Sequence, residues 1–331
     1  MILVTGATGH LGNVILRELV KRNVAVRAFV LTGDDISHIK DLPIEIVYGN
    51  ILDIVTLDEA MNNVTGVIHT AALVSIGNTF KTKDIFNVNV YGLSNVLESA
   101  KRHEVKQFVH VSSIHAFNEI KGEVLITEKT STDPNKHRIP YAKSKALALA
   151  EISKYRDLGL NINVLFPTGI IGPSDYMKKN NALLPIRLFL KTESKRHFYF
   201  NAGYDFVDVR DVAVIASKLL LEHRGNHDFI LSGEYISLKE IYEVIAKYKH
   251  KAIKLVKVPN FFLVIGIHIY FFFCKLFRKK APITPQAFKI LTSKQRISSK
   301  KLRTSLKFTP RSVSASLIDS VKFIEINDKK R

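Results

Sequence analysis

The first half of the chain alternates short apolar segments with amphipathic ones, and this alternation limits the possible folds more than any other feature. Six segments are typical of buried strands: MILVTG, VAVRAFVL, IEIVYGNI, VTGVIHTAAL, KQFVHVSS and LNINVLFPTGIIGP. Helix-like segments such as HLGNVILRELVKRN separate several of them. Strands that alternate with helices imply right-handed crossovers and a parallel sheet covered on both faces. We therefore predict an α/β fold with a doubly wound parallel sheet.

A glycine-rich turn, VTGATGHLG, joins the first predicted strand to its helix. Glycines at this spacing permit a tight turn and let the backbone approach a pyrophosphate. The helix N-terminus adds unpaired N–H groups and a positive dipole end. An ordinary strand–helix turn is the alternative, but this position favours a dinucleotide site in a Rossmann-type fold. The residues predicted to bind the cofactor here are Gly6, Thr8, Gly9, His10, Leu11 and Gly12.

The domain boundaries follow from where the alternation stops. We expect residues 1–172 to form the dinucleotide-binding Rossmann domain and residues 173–331 a smaller C-terminal substrate lobe. The segment 205–232 is expected to return to the first domain. A chain of 331 residues with 46% hydrophobic content is large enough to build both parts around a substantial core.

The composition argues against several classes of protein. A formal net charge of +19 is compatible with a nucleic-acid partner, but the lysines are spread along the chain without a zinc-ligand spacing or an aromatic RNA-binding motif. We therefore expect neither a nucleic-acid partner nor a metal. Cys274 is the only cysteine, so no internal disulfide can form. The N-terminus lacks the basic flank of a secretory signal, and we expect a cytoplasmic protein.

A tyrosine–lysine pair stands at the start of a predicted alanine-rich helix. In RIPYAKSKALALAEISKYR, Tyr141 precedes Lys145 by one helical turn, which places both side chains on one face. A nearby ammonium group stabilises a phenolate and lowers the pKa of the tyrosine. A bare Y-x-x-x-K spacing is common on helix surfaces. Here a serine pair, Ser112 and Ser113, follows the fifth predicted strand, so we predict an acid–base site.

The glycine turn, the serine and the Y-x-x-x-K pair together resemble the extended short-chain dehydrogenase/reductase family of the NAD-dependent epimerase/dehydratase type. Within it, the chain is most similar to dihydroflavonol-reductase-like and 3β-hydroxysteroid-dehydrogenase-like members. The resemblance implies an NAD(P)-dependent oxidoreductase. Tyr141 would exchange a proton with a substrate oxygen, Ser113 would orient that oxygen, and Lys145 would lower the Tyr141 pKa and hold the nicotinamide ribose. The family also implies a homodimer.

The same resemblance assigns further residues. Those expected around the cofactor are Asn50 and Ile51 at the adenine, Ala71 and Ala72 beside the adenosine, Asn89 bracing the site, and Pro167 and Ile170 at the nicotinamide. Asn50 replaces the usual aspartate, so it can accept a hydrogen bond from the adenine but carries no charge. His115 and Asn118 follow the serines and are candidate substrate residues.

The choice between NAD and NADP is normally made after the second strand, by an acid for the ribose hydroxyl or an arginine for the 2′-phosphate. Val30 and Leu31 occupy these positions, so neither signal is present. Arg27 lies earlier on the strand, and Asp34 and Asp35 lie later in the loop. Because no acid occupies the ribose position and the chain is basic, we predict a small preference for NADP, with Arg27 as a candidate contact.

Two substrate classes compete. Nucleotide-sugar epimerases and dehydratases of the family usually place an arginine just before F-V-x-V-x-D, where this chain has Tyr204 and Asp205, with Arg210 beyond them. The missing arginine favours an alcohol or ketone of an apolar small molecule that is steroid-, terpenoid- or flavonoid-like. A nucleotide sugar is the alternative. A non-catalytic nucleotide sensor is disfavoured, because such proteins usually lack the tyrosine–lysine pair.

An apolar segment near the C-terminus, 258–277, approaches the length of a membrane span. It is compatible with a helix of the substrate lobe, an interfacial helix or a full span. Its phenylalanines are followed by a basic run, RKK at 278–280, as in interfacial helices. His268 and Lys275 would have to enter the bilayer in a full span. We predict peripheral association with the inner face of an anionic membrane through 258–280.

Overall fold

The computed structural model describes residues 1–75, 80–119, 125–177, 180–277, 285–293 and 295–328. In chain order the strands are β1 (Ile2–Thr5), β2 (Val26–Val30), β3 (Glu45–Tyr48), β4 (Gly66–His69), β5 (Gln107–Val111), β6 (Leu125–Ile126), β7 (Ile162–Pro167), β8 (Gly169–Ile171), β9 (Arg196–Tyr199), β10 (Gly203–Asp208), β11 (Asp228–Leu231), β12 (Glu234–Ser237), β13 (Lys254–Lys257) and β14 (Arg296–Ile297). The α-helices are α1 (His10–Lys21), α2 (Ile54–Met61), α3 (Thr82–Phe86), α4 (Leu93–Arg102), α5 (Pro140–Asp157), α6 (Leu184–Lys191), α7 (Val209–Leu221), α8 (Leu238–Tyr248), α9 (Asn260–Leu276), α10 (Pro285–Thr292), α11 (Lys300–Leu306) and α12 (Val313–Asp328). A π-helical turn, Asn87–Gly92, joins α3 to α4, and short 3₁₀ turns cover Ile114–Ala116, Pro134–Lys136 and Asn181–Leu183.

Seven parallel strands form the main sheet, in the spatial order β11–β7–β5–β4–β1–β2–β3. The order runs outwards in both directions from β1, which pairs with β2 on one side and β4 on the other. Strand ends on the two sides of such a reversal leave a crevice at the carboxyl edge of the sheet. The predicted Rossmann-type doubly wound sheet is therefore confirmed.

Helices cover both faces of this sheet, as its largely apolar strands require. On one face α1 and α7 pack against each other, and Leu16 and Leu219 lie in the same buried cluster as Val4 of β1. On the other face α2, α4 and α5 enclose a second cluster, which includes Phe108 of β5 and Ile152 of α5. The strand residues thus bury apolar side chains on both sides, and the carboxyl edge is where polar groups collect.

The single strand expected over LNINVLFPTGIIGP is instead two strands in different sheets. Strand β7 ends at Pro167, and β8 leaves the main sheet to pair with β10, which also pairs with β12. Gly169, the first residue of β8, lies so close to the Phe206 ring that a Cβ there would lie 2.6 Å from it. The prediction of one strand was wrong because a continuous apolar segment does not show where the backbone leaves one sheet and joins another.

The elements after β8 build a third buried cluster from α6, α8, α12 and the three-stranded sheet, with Phe189, Ile245 and Val321 among its members. Within 205–232, α7 packs on α1 and β11 joins the main sheet, whereas β10 belongs to the smaller sheet. The boundaries of a C-terminal substrate lobe stay a prediction. In the described ranges, no helix is both long enough and apolar enough to cross a bilayer.

Candidate active site

Residues singled out in the sequence converge on the carboxyl edge of the main sheet. Gly6 follows β1, Asn50 follows β3, Ala71 follows β4, Ser113 follows β5, and Pro167 ends β7. Because all these strands are parallel, the positions lie along one crevice that spans the point where strand order reverses. The fold therefore brings together segments that are far apart in the chain.

The glycine turn has the geometry of a phosphate cradle. Gly6 has a φ of +69°, and a Cβ there would lie 2.7 Å from the Ala71 backbone nitrogen. A Cβ on Gly12 would overlap the Gly6 carbonyl oxygen. Gly9 caps α1 without a side-chain hydrogen bond, so the first N–H groups of the helix face the crevice without a capping side chain. These features fit the pyrophosphate of a dinucleotide.

The other residues of the turn are held by neighbouring loops. The Thr8 hydroxyl donates to Asp34 Oδ2 at 2.6 Å, so the Asp34 carboxylate lies against the turn. His10 Nε2 donates to the Pro173 carbonyl at 2.8 Å, and Nδ1 accepts from Asn180 Nδ2 at 2.9 Å. Leu11 instead packs against the buried cluster on the α1 face. The Asp34 contact was missed because its loop position gives no hint that the side chain turns back.

Ser113, Tyr141 and Lys145 meet at the centre of the crevice, and all three are buried. Tyr141 stands at the start of α5, where Pro140 begins the helix, and its hydroxyl is hydrogen-bonded to Ser113. Lys145 Nζ donates to the Val111 carbonyl oxygen at 3.2 Å, which places the ammonium group under the end of β5. Helix α5 and strand β5 together position the three groups.

Burial controls the protonation of this cluster. It raises the pKa of Tyr141 to about 12, against the opposing effect of the hydrogen bond with Ser113. Burial also lowers the pKa of Lys145 to about 8. The lowered Tyr141 pKa expected from Lys145 is not found in this structure, because the loss of water on burial outweighs the opposing effects. At neutral pH the tyrosine is a phenol, the form that donates a proton.

Asn89 braces the site through the π-helical turn that contains it. Its amide accepts from the Leu73 N–H at 2.8 Å and donates to the Leu73 carbonyl and to Ser144 Oγ, each at 3.0 Å. Ser144 Oγ in turn donates to the Tyr141 carbonyl at 2.7 Å. The asparagine thus ties the loop after β4 to the first turn of α5, and its amide oxygen and nitrogen are both engaged in this bracing.

An aromatic wall stands beside Tyr141. His115 Nε2 is hydrogen-bonded to the Tyr204 hydroxyl at 2.9 Å, and the His115 ring centroid lies 6.0 Å from those of both Tyr141 and Tyr204. Burial lowers the pKa of His115 to about 4 and raises the pKa of Tyr204, so both groups are neutral at neutral pH. Tyr204 comes from β10, and sequence reasoning noted it only as the replacement for an arginine.

Asn118, in contrast, does not face the crevice. Its buried amide accepts from Ser131 Oγ and the Asp133 N–H and donates to the Asp133 carbonyl, at 2.8 to 2.9 Å. It also lies 3.0 Å from His137 Nε2. These contacts fix the loop before α5, and they argue against the predicted role of Asn118 as a substrate residue.

Arg27 lies away from the crevice. It is the second residue of β2, and its guanidinium donates to the carbonyls of Ala60 and Asn62, each at 2.7 Å, and pairs with Glu45. The cofactor contact predicted for it is therefore not supported. The exposed Leu31 stands where β2 ends, and Asp34 is the charged group that the structure places at the glycine turn.

The remaining predicted cofactor residues differ in how far their side chains are exposed. Asn50 is exposed, and its Oδ1 accepts from the Leu52 N–H at 2.9 Å, while Ile51 is buried against the π-helical turn. Ala71 and Ala72 are half-buried, as is Ile170 of β8, and Pro167 is buried. Their contacts with a cofactor stay predictions.

The fold and this site define an extended short-chain dehydrogenase/reductase. The chain belongs to the NAD dependent epimerase/dehydratase family, whose sequence model matches residues 2–231. It is therefore an NAD(P)-dependent oxidoreductase, as the sequence predicted. The preference for NADP stays a prediction.

Similar proteins span a range of chemistries. The chain is 28% identical over 323 residues to "Sterol demethylase protein B" of Methylococcus capsulatus, covering 96% of each chain. It is 31% identical over 245 residues to a putative dihydroflavonol 4-reductase of Synechocystis, covering 72% of this chain and 69% of that one. The solved structure of gox2253 matches with a TM-score of 0.84 at 24% identity, covering 98% of both chains. A Thermus thermophilus UDP-glucose 4-epimerase in complex with NAD matches at 0.75 and 19% identity, covering 98% of both. At these identities the two solved structures show the shared fold alone.

Proposed function

We propose that this enzyme transfers a hydride between a nicotinamide and an alcohol or ketone carbon of an apolar, steroid-, terpenoid- or flavonoid-like molecule. The observation that carries this proposal is the neutral aromatic wall of Tyr204 and His115 beside Tyr141. A ring of low polarity packs well on such a wall, whereas a pyrophosphate needs a cation or several N–H donors. The similar proteins named for a sterol and a dihydroflavonol support the same substrate class.

Each residue of the buried cluster has a separate part in the proposed reaction. Bound NAD(P) supplies or accepts the hydride. The Tyr141 phenol gives its proton to the substrate oxygen during reduction, and Ser113 Oγ donates a hydrogen bond to the same oxygen. Lys145, which carries a charge below about pH 8, stabilises the phenolate that remains and holds the ribose hydroxyls. Because Tyr141 stays protonated at neutral pH, the site is set for reduction of a ketone.

A nucleotide-sugar epimerase or dehydratase using the same three residues is the second candidate. The family to which the chain belongs, which is named for epimerases and dehydratases, favours it. Tyr204 at the position of the expected arginine weighs against it, because the described part of β10 offers no cation to the crevice. Asp205, the next residue, accepts a hydrogen bond from Ser232 Oγ at 2.9 Å and likewise supplies no cation.

Turnover assays distinguish the two candidates. The purified enzyme is incubated with NADH or NADPH and a panel of apolar ketones, and in parallel with UDP- and dTDP-sugars. We expect loss of the reduced-nicotinamide absorbance with at least one ketone, and none in the Tyr141→Phe variant. Conversion of a nucleotide sugar by the wild type, with no ketone reduced, would refute the proposed substrate class.

The predicted homodimer and cytoplasmic location belong to this proposal too, and peripheral membrane association through 258–280 stays a prediction. Light scattering behind a sizing column measures the oligomeric state directly. Arg278, Lys279 and Lys280, the predicted basic anchors, lie outside the described residues, as does the side chain of Lys275.

A further inference from the structure

Helix α9 is apolar on nearly every side and is mostly exposed. Of the large apolar side chains exposed in the described residues, ten fall within 261–277. Phe261 is 68% exposed and Phe272 is 62% exposed. The full set comprises Phe261, Phe262, Val264, Ile265, Ile269, Tyr270, Phe272, Phe273, Leu276 and Phe277. An exposed apolar surface of this extent marks a site of association rather than an ordinary water-facing helix.

Only a narrow stripe of α9 packs on the rest of the protein. Leu263, Ile267 and Phe271 are half-buried and Cys274 is buried, at intervals of three or four residues. This is the spacing of one helix face, and α9 contacts α10. The side chain of Asn260 donates to the Asn201 carbonyl at 3.1 Å and anchors the start of the helix. The orientation of α9 is therefore fixed. Its outer faces are exposed, and no described element packs on them.

The stretch of sequence that contains α9 carries almost all of the net charge of the chain. Residues 244–318 contain 17 Lys+Arg and no Asp or Glu, so this segment holds a charge of +17 out of +19. The basic residues are spread along the chain, as the composition indicated, but the acidic residues are not. Lys254 and Lys257 are exposed on β13, directly before α9, and RKK at 278–280 follows the helix in the sequence.

We propose that α9 lies in the interface of an anionic membrane, with its axis along the surface and its aromatic faces among the acyl chains. Apolar area inserts, and the flanking lysines and arginines are attracted to anionic headgroups. This surface stands apart from the proposed hydride transfer and depends on neither cofactor nor substrate. A second copy of the chain is a poorer occupant, because two segments of +17 would repel each other.

Vesicle flotation tests the proposal on the full chain. Vesicles of phosphatidylcholine with phosphatidylglycerol are compared with vesicles of phosphatidylcholine alone, at low and high salt. We expect binding to the anionic vesicles that weakens at high salt. Replacing Phe261, Phe262, Phe272 and Phe273 together by serine should lower the partition coefficient by at least about a hundredfold. Val55→Ser with Leu158→Ser, exposed apolar residues elsewhere, is the matched control.

A fluorescent probe gives a second, site-specific measurement. The chain has no tryptophan, so Phe272→Trp introduces a single reporter on the outer face of α9. Its emission should shift to the blue with anionic vesicles, whereas Val55→Trp should not respond. Absence of vesicle binding by the wild type would overturn the proposal, as would unchanged binding of the serine variant. A dimer that the serine variant loses, without vesicle binding, would assign the surface to a second copy instead.

Discussion

Replacing Lys145 by methionine should make the protein more stable while it abolishes activity. The ammonium group is buried, and its single described hydrogen bond is to the Val111 carbonyl oxygen. Methionine has a similar length and leaves no charge to bury. We therefore expect a rise in the free energy of unfolding, although the substitution removes a residue placed in the reaction.

The magnitude follows from the pKa of Lys145, which burial lowers from 10.5 to about 8. One pKa unit corresponds to about 1.4 kcal/mol, so the buried charge costs about 3 kcal/mol at neutral pH. The lost hydrogen bond to Val111 offsets about 1 kcal/mol of this. The variant should therefore be about 2 kcal/mol more stable.

The difference should depend on pH in a defined direction. Below about pH 8 the folded and unfolded chains both carry the proton on Lys145, so the cost of the charge is constant. Between about pH 8 and 10.5 the unfolded chain keeps this proton while the folded chain has released it, so wild-type stability rises with pH. Methionine does not titrate, and the gap between variant and wild type should close across this window.

Urea unfolding followed by circular dichroism measures both effects. The wild type, Lys145→Met and Lys143→Met are compared at neutral pH and at several pH values up to about 10. Lys143 lies on the same helix and is half-buried, so it controls for the loss of a lysine from α5. A Lys145→Met variant less stable than the wild type at neutral pH would refute the reasoning. A gap that does not change with pH would refute it equally.

Three further predictions concern the crevice. Tyr141→Phe should lower turnover by about a thousandfold, yet leave the dissociation constant for NADH, measured by the fluorescence of the bound nucleotide, within about twofold; a wild-type rate would exclude Tyr141 as the acid. Gly12→Ala should abolish nucleotide binding in the same titration, because the added Cβ overlaps the Gly6 carbonyl, and binding that survives in a folded variant would contradict the cradle. Asp34→Asn should shift the NADPH-to-NADH affinity ratio towards NADPH by about tenfold, because a carboxylate at the turn repels a 2′-phosphate. Asp35→Asn is the control and should leave the ratio unchanged. Equal shifts in both variants would show that Asp34 does not determine the choice of nucleotide.

Local sequence patterns were sufficient to predict the parts of the site whose residues lie within one short segment of the chain. The turn around Gly6 and Gly12 needs glycines for reasons of backbone geometry, and the spacing of Tyr141 and Lys145 is a property of any helix. The family resemblance then supplied Ser113, which β5 places beside them. These predictions depend on contacts within a few residues or on motif order.

Contacts between distant segments were not predictable in the same way. The Tyr204 hydroxyl reaches His115 across 89 positions of sequence, and only the strand exchange after Pro167 brings β10 to the crevice. The sequence predicts a cofactor contact for Arg27, but its side chain points to Ala60. The face of the sheet on which a strand side chain lies depends on the strand register, which the sequence alone does not give. The Tyr141 pKa likewise depends on how completely its neighbours exclude water.

His10 joins the glycine turn to the chain that leads into the C-terminal region. Its Nε2 donates to the Pro173 carbonyl, its Nδ1 accepts from Asn180, and Asn180 also donates to the Ile170 carbonyl at 2.8 Å. A ligand that displaces the turn therefore also perturbs the hydrogen bonds of Ile170, Pro173 and Asn180. By thermodynamic linkage, the free energy with which one ligand shifts the other's affinity is the same in both directions. The nucleotide and the substrate should therefore change each other's dissociation constant by the same factor.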